Sequence, residues 1–420
     1  MHTKIKELVD FTRDKYNLND YHLYEYQLYR KVNMNNETEY SLSMEWFPNH
    51  ITKREDEDLN PDGTAVVEID FHTAQTKSVI FVGGKSFVTV PTFKHFDINE
   101  AIKYIESETG LRYREQFQQT KTEDSRLHFQ ACIDGTPVSP SGLIEIECDD
   151  AGRLIHFSVF QPFPTSDDVI IESYSLALEN VDFIVKEQLK LIEFPSDEQK
   201  KLVAVYGIEE IYITNNGIST LPFEFFVDTG EYINIDKQMI WNEPIPMNFK
   251  RNLISFQEDI TIEQALSKET HPDTFPITNV DKCLSVVEDF LRQVYPDDTG
   301  KWILKTLHRD NGYIHATLRL VEQSKGVFQR KLLVMIDSKS LRVINYIDNE
   351  PLLEMFDSYE QSDSIKIDKI QAYERLKDLF ELEPTYVYDR KKRNYILCGK
   401  LDCDYGIHAS TGEVLLLNNL

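Results

Sequence analysis

The chain has 420 residues, with 45 Lys and Arg against 71 Asp and Glu, for a formal net charge of −26. A charge of that sign repels nucleic-acid backbones and anionic lipid surfaces, so neither is an expected partner. Hydrophobic residues at 41% are enough for buried cores, and the length exceeds one typical domain of about 100 to 150 residues, so several packed units are expected.

The amino-terminal stretch enters an amphipathic pattern directly, with Ile5, Leu8, Val9, Thr12 and Tyr16 on one helical stripe. It lacks the apolar core of a signal peptide, and no run is long enough to span a bilayer, so the expected location is cytoplasmic unless a leader has been removed. The densest acidic stretch, residues 54–63, has the carboxylate spacing of a calcium loop. However, Pro61 stands where the tight turn needs Gly, and Val67 stands where a Glu should close the shell, so it reads as a solvated loop. An apolar strand at 66–70 then turns into a second at 78–81. Residues 83–86, Gly-Gly-Lys-Ser, end like a phosphate-binding loop but lack its first Gly, and read as a turn with a strand after it.

A second helix opens on Asp97 as N-cap, carries Ile98, Ala101, Ile102 and Ile105, and stops at Gly110. A strand at 127–133 and a hairpin of 144–149 with 154–157 follow. A third helix is expected from 173 to 192, closed by Pro195. The hairpin after it, 223–228 into 232–235, places Phe223 and Phe225 on one face and Phe226 on the other. Thr261 and Gln264 form a capping box for a short extra helix. The fourth helix, after Thr278, presents Val280, Cys283, Leu284, Val287, Leu291 and Val294. It precedes a strand at 313–320 and a hairpin of 332–337 with 343–346. The fifth starts at Asp368 and leads, past the basic run Arg390, Lys391, Lys392 and Arg393, to a final hairpin of 405–410 with 414–416.

The residues ending the first strand of each hairpin, Asp70, Asp149, Asp228, Asp337 and Ser410, lie 79, 79, 109 and 73 positions apart. Such spacing marks one folding unit copied along the chain, a helix followed by three or four antiparallel strands, with the extra helix inserted in the long interval. A single helix laid across one apolar sheet face gives an α+β fold. The expected units are 1–94, 95–168, 169–246, 247–350 with the insertion, and 351–420.

The last hairpin, with its Ala409-Ser410-Thr411-Gly412-Glu413 turn, resembles the end of a PepSY module, and 227–232 repeats that turn as Val-Asp-Thr-Gly-Glu-Tyr. PepSY modules occur in peptidase propeptides and in Bacillus-type YpeB and YcdB/YcdC proteins. The resemblance implies tandem cystatin-like units and a role in binding or restraining other proteins, peptidases among them.

Nothing linear carries chemistry. The five cysteines form no C-x-x-C pair and read as free thiols, and the eleven histidines show no ligand spacing. No nucleophile elbow occurs, so no catalytic residue, metal ligand or cofactor is assigned. The expectation is a non-catalytic, regulatory protein that binds a protein or peptide partner through sheet edges and clefts between units. The candidate contacts are the basic tip at Arg390, Lys391, Lys392 and Arg393, and the apolar hairpin at Phe223, Phe225 and Phe226. The competing expectation is an enzyme or small-molecule binder using a cleft between repeat units, assembled from distant residues.

Overall fold

The computed structural model describes residues 1–33, 36–54, 59–123, 126–222, 232–254, 259–322, 326–389 and 392–420. These form two compact units. One comprises Met1–Glu172, Gln257–His271 and Thr385–Leu397, and the other Ser173–Phe256, Pro272–Pro384 and Cys398–Leu420. Both combine helices with antiparallel sheets, which makes the protein α+β.

In the first unit the helix Thr3–Lys15 precedes β1 (Tyr21–Val32), β2 (Thr38–Pro48), β3 (Ala65–Asp70) and β4 (Thr76–Phe81). The helix Ile98–Thr109 then precedes β5 (Phe117–Glu123), β6 (Arg126–Ile133), β7 (Thr136–Ser139), β8 (Leu143–Cys148) and β9 (Leu154–Phe160). Asp97 caps the second helix by accepting from the Asn99 and Glu100 amides, and Gly110 closes it at φ +74°, a conformation open to Gly at little cost. Alternation along the strands sends Leu42, Met44, Ile69, Phe129, Ile146 and Phe157 to one face. Ile5 and Leu8 of the first helix and Ala101 and Ile105 of the second join them in one core, so both helices cover the same side.

The two groups of strands meet edge to edge through β4 and β9: Ser78 lies opposite Ser158, Val79 opposite Phe157 and Ile80 opposite His156. The strand order is β1-β2-β3-β4-β9-β8-β6, with β5 also pairing β6.

The extra helix, Ile262–Leu266, carries the expected Thr261–Gln264 capping box. Its surroundings were not expected: Ala265 and Ile260 are buried in the core of the first two helices, more than 150 residues away in sequence. The Arg30 guanidinium, on β1, donates to the carbonyls of Glu269 at 2.9 Å and Thr270 at 3.4 Å, which ties the excursion to the sheet.

The second unit contains two further cores. One packs the helix Val280–Val294, through Cys283, Val287, Phe290 and Leu291, on a five-stranded antiparallel sheet. Its strands, in order, are Ile233–Met239, Trp302–Asp310, Tyr313–Leu320, Lys331–Asp337 and Val343–Asp348. The other core takes the helices Leu178–Gln188 and Lys369–Leu376 together with the sheet Lys190–Ser196, Lys201–Gly207, Tyr405–His408 and Val414–Leu416. The segments 178–213 and 367–409 thus share one core, whereas 233–346 builds the other.

Two local expectations need correction. The third helix runs only from Leu178 to Gln188, so residues 173–177 precede it, and Ile192 and Pro195 lie in the strand Lys190–Ser196. That strand is the edge of its sheet, where a missing N–H is tolerated, so Pro195 ends no helix. No strand follows the Gly83–Gly84 turn; residues 85–90 run irregularly, and the Phe87 amide donates to the Tyr21 hydroxyl at 2.9 Å.

Candidate peptide-binding edge

β1 ends the sheet of the first unit, and an edge strand presents backbone donors and acceptors that its sheet does not use. Part of this edge is covered. Asp259 bridges Tyr29 in antiparallel sense, and the Ile260 N–H donates to the Leu28 carbonyl at 3.1 Å. The chain then turns into the helix Ile262–Leu266 and leaves the edge. Backbone groups alternate sides along a strand, so the outward carbonyl of Leu28 places the N–H and C=O of Tyr26 outward as well. Among the described residues, no hydrogen bond reaches those two groups.

A groove of about 680 Å³ lies at this edge, lined by Glu25, Gln27, Glu45, Arg54, Asp259 and Ile262 among others. Glu25, Gln27 and Glu45 lie on the sheet face opposite the helices, because their neighbours Leu28, Leu42, Met44 and Trp46 point into the core. Arg54 bonds the Glu45 carboxylate, donates to the Asn60 side chain at 3.1 Å, and stands 5.2 Å over the Tyr24 ring. Tyr24 in turn stacks on Phe47 at 4.0 Å. Asn60 donates to the other oxygen of Glu45 at 3.2 Å, so Glu45 is doubly held. Glu25 is 3.9 Å from Arg54 and largely exposed, and Asp259 is held by the Gln27 amide.

The same polar face gathers a second constellation, invisible in sequence because its members come from three strands. Glu145 on β8 reaches His128 on β6 at 3.2 Å and His156 on β9 at 3.2 Å, and Ser158 lies 3.0 Å from His156. Arg126 pairs with Glu147 at 2.8 Å. Burial, with Arg126 beside it, lowers the pKa of His156 against the opposing pull of Glu145. A serine, a histidine and a carboxylate in contact evoke a nucleophilic triad, but Glu145 and Ser158 approach the same ring nitrogen, Nε2. A triad needs the carboxylate on Nδ1 and the hydroxyl on Nε2, and Ser158 is itself buried. These residues form cross-strand polar pairs that line the uncovered face.

Of the basic tip, Arg390 and Lys391 lie outside the described residues. Lys392 pairs with Asp389 at 3.7 Å, and Arg393 adopts φ +54° with its amide on the Asp389 carbonyl, as at a tight turn between strands. Phe223, Phe225 and Phe226 also lie outside the described residues, as do 55–58 of the acidic loop. The five cysteines are free and buried. Burial raises the pKa of Cys132, Cys148, Cys283 and Cys403. Among the described residues, no helix is long and apolar enough to cross a membrane.

No family model matches the chain, and no curated protein matches it. Among solved structures it is similar to the Bacillus megaterium YpeB C-terminal domain, at 8% identity and a TM-score of 0.23, over 82% of this chain and 96% of that one. A likeness at that level carries no argument about activity.

Proposed function

We propose that the chain is a non-catalytic regulatory protein, built of PepSY-like, cystatin-like repeats, that binds a protein or peptide partner by strand addition. The repeat resemblance implies binding or restraint of other proteins, peptidases among them. The observation supporting this reading is the outward, unbonded backbone of Tyr26 beside an open groove. Main-chain bonding to an exposed edge supplies affinity without sequence preference, and flanking side chains supply the preference. Binding of an alternating valine–threonine hexapeptide to the full chain, compared with two versions N-methylated at alternate residues, tests this. One methylation register should abolish binding and the other should not, because only one set of amides faces the edge. Equal binding by all three peptides overturns the reading. The basic tip at Arg390 to Arg393 is a second proposed contact, and its charge reversal should weaken partner capture most at low salt.

A further inference from the structure

The side chains around the Tyr26 edge are unequal in charge. Glu25, Glu45 and Asp259 are anionic against the cationic Arg54, and Met1, with its amino group, and His2 also line the groove, beside Ile5 of the first helix. The imbalance is also local. Arg54 and Asn60 hold Glu45, whereas Glu25 lies 3.9 Å from Arg54 and Asp259 contacts the neutral Gln27 amide. Glu25 and Asp259 flank the stretch whose backbone is open: Glu25 immediately precedes Tyr26, and Asp259 bridges Tyr29 three residues beyond it.

A strand added beside β1 would place alternate side chains on the face that carries Glu25 and Gln27, since alternation is shared across a sheet. Directly opposed residues stand about 4.5 to 5.5 Å apart, within reach of an arginine or lysine head group. Like charges in that position are destabilising, so a glutamate or aspartate there is rejected. Tyr24, about two-fifths exposed and set on that same face against Phe47 and Arg54, adds aromatic surface for the guanidinium or the aliphatic stem.

We infer that the groove selects an extended segment carrying an arginine or lysine, with Glu25 and Asp259 reading the cation while Tyr26 reads the backbone. This rests on the strand-addition reading above. Glu45 is the anchor that keeps Arg54 out of the way, and it is not the reader.

The test uses the full chain and three hexapeptides of alternating valine and threonine, with arginine, glutamine or glutamate at one central position. Affinity should fall in that order, by at least tenfold from arginine to glutamate, and the difference should shrink as salt is raised from 50 to 500 mM. In the double variant Glu25→Gln with Asp259→Asn, the arginine peptide should bind no better than the glutamine one, while the glutamine peptide keeps its wild-type affinity. If all three peptides bind the wild type equally, the charge inference fails and strand addition stands. If none binds, strand addition at this edge fails with it. A double variant that still prefers arginine also overturns the assignment to these two carboxylates.

Discussion

Replacing Arg30 by Met removes the donors that pin the 259–271 excursion while keeping a similar apolar stem, so the cavity left behind is small. The Arg30 side chain is 2% exposed, and its bonds to the carbonyls of Glu269 and Thr270 are 2.9 and 3.4 Å long. A hydrogen bond from a charged donor contributes about 1.5 to 3 kcal/mol, and the longer one contributes less. The ion pair to the half-exposed Glu269 carboxylate, at 3.5 Å, adds at most about 1 kcal/mol. The Tyr40 hydroxyl still reaches the Glu269 carbonyl, so that acceptor is not orphaned. The sum, about 2 to 4 kcal/mol, falls mainly on local opening of the excursion and should raise its opening equilibrium about 30- to 900-fold. Amide hydrogen exchange resolved by peptide should show accelerated exchange over 259–271, while β2 and β3 stay protected. Because Asp259 and Ile262 line the groove, peptide binding should weaken in parallel. Unchanged exchange over 259–271 would refute the claim that Arg30 holds this wall.

Phe157 is fully buried where β4 and β9 join, so Phe157→Ala should cost about 3 to 5 kcal/mol, read as a lowered urea midpoint for that unit. A shift under 1 kcal/mol would mean that the seam is not a packed interface. Burial pushes the Asp348 carboxyl up, but bonds from Arg330 at 2.9 Å and Tyr295 at 2.6 Å outweigh it and leave the pKa lowered. Its contribution is therefore present above the ordinary carboxylate range, about pH 4, and is lost as pH falls through the depressed folded value. Asp348→Asn should flatten that acid limb of the stability profile, and an unchanged limb would contradict the assignment. The five buried thiols should react with less than one equivalent of a thiol reagent in the native chain and with five in denaturant.

Local signals in the sequence translate directly into structure where one segment supplies the whole cause. Asp97 and Gly110 cap their helix because a side-chain acceptor and a left-handed turn are properties of single residues. Four of the five hairpins, at 65–81, 143–160, 331–348 and 405–416, appear as antiparallel pairs, since alternation and turn chemistry lie close together. Pairing between distant strands is not written locally. Lys201–Gly207 takes Tyr405–His408 as its neighbour, and nothing in either stretch marks that choice. The groove illustrates the same limit. Asp259 and Ile260 reach β1 only because the chain returns to it after more than two hundred residues, although the capping box at Thr261 is plain in the sequence. The Glu145 cluster with His128 and His156 depends on the register of three strands, which fixes which side chains face one another.

Exchange protection of the Tyr26 amide is the most direct measurement of whether this chain works through its first strand. In the free protein that amide should exchange quickly for a strand residue, while those of Leu42 and Met44 on the neighbouring β2 exchange slowly. Saturating arginine hexapeptide should slow exchange at Tyr26 at least tenfold and leave Leu42 and Met44 unchanged. A Tyr26 amide already protected in the free chain, or one indifferent to bound peptide, would contradict binding at this edge.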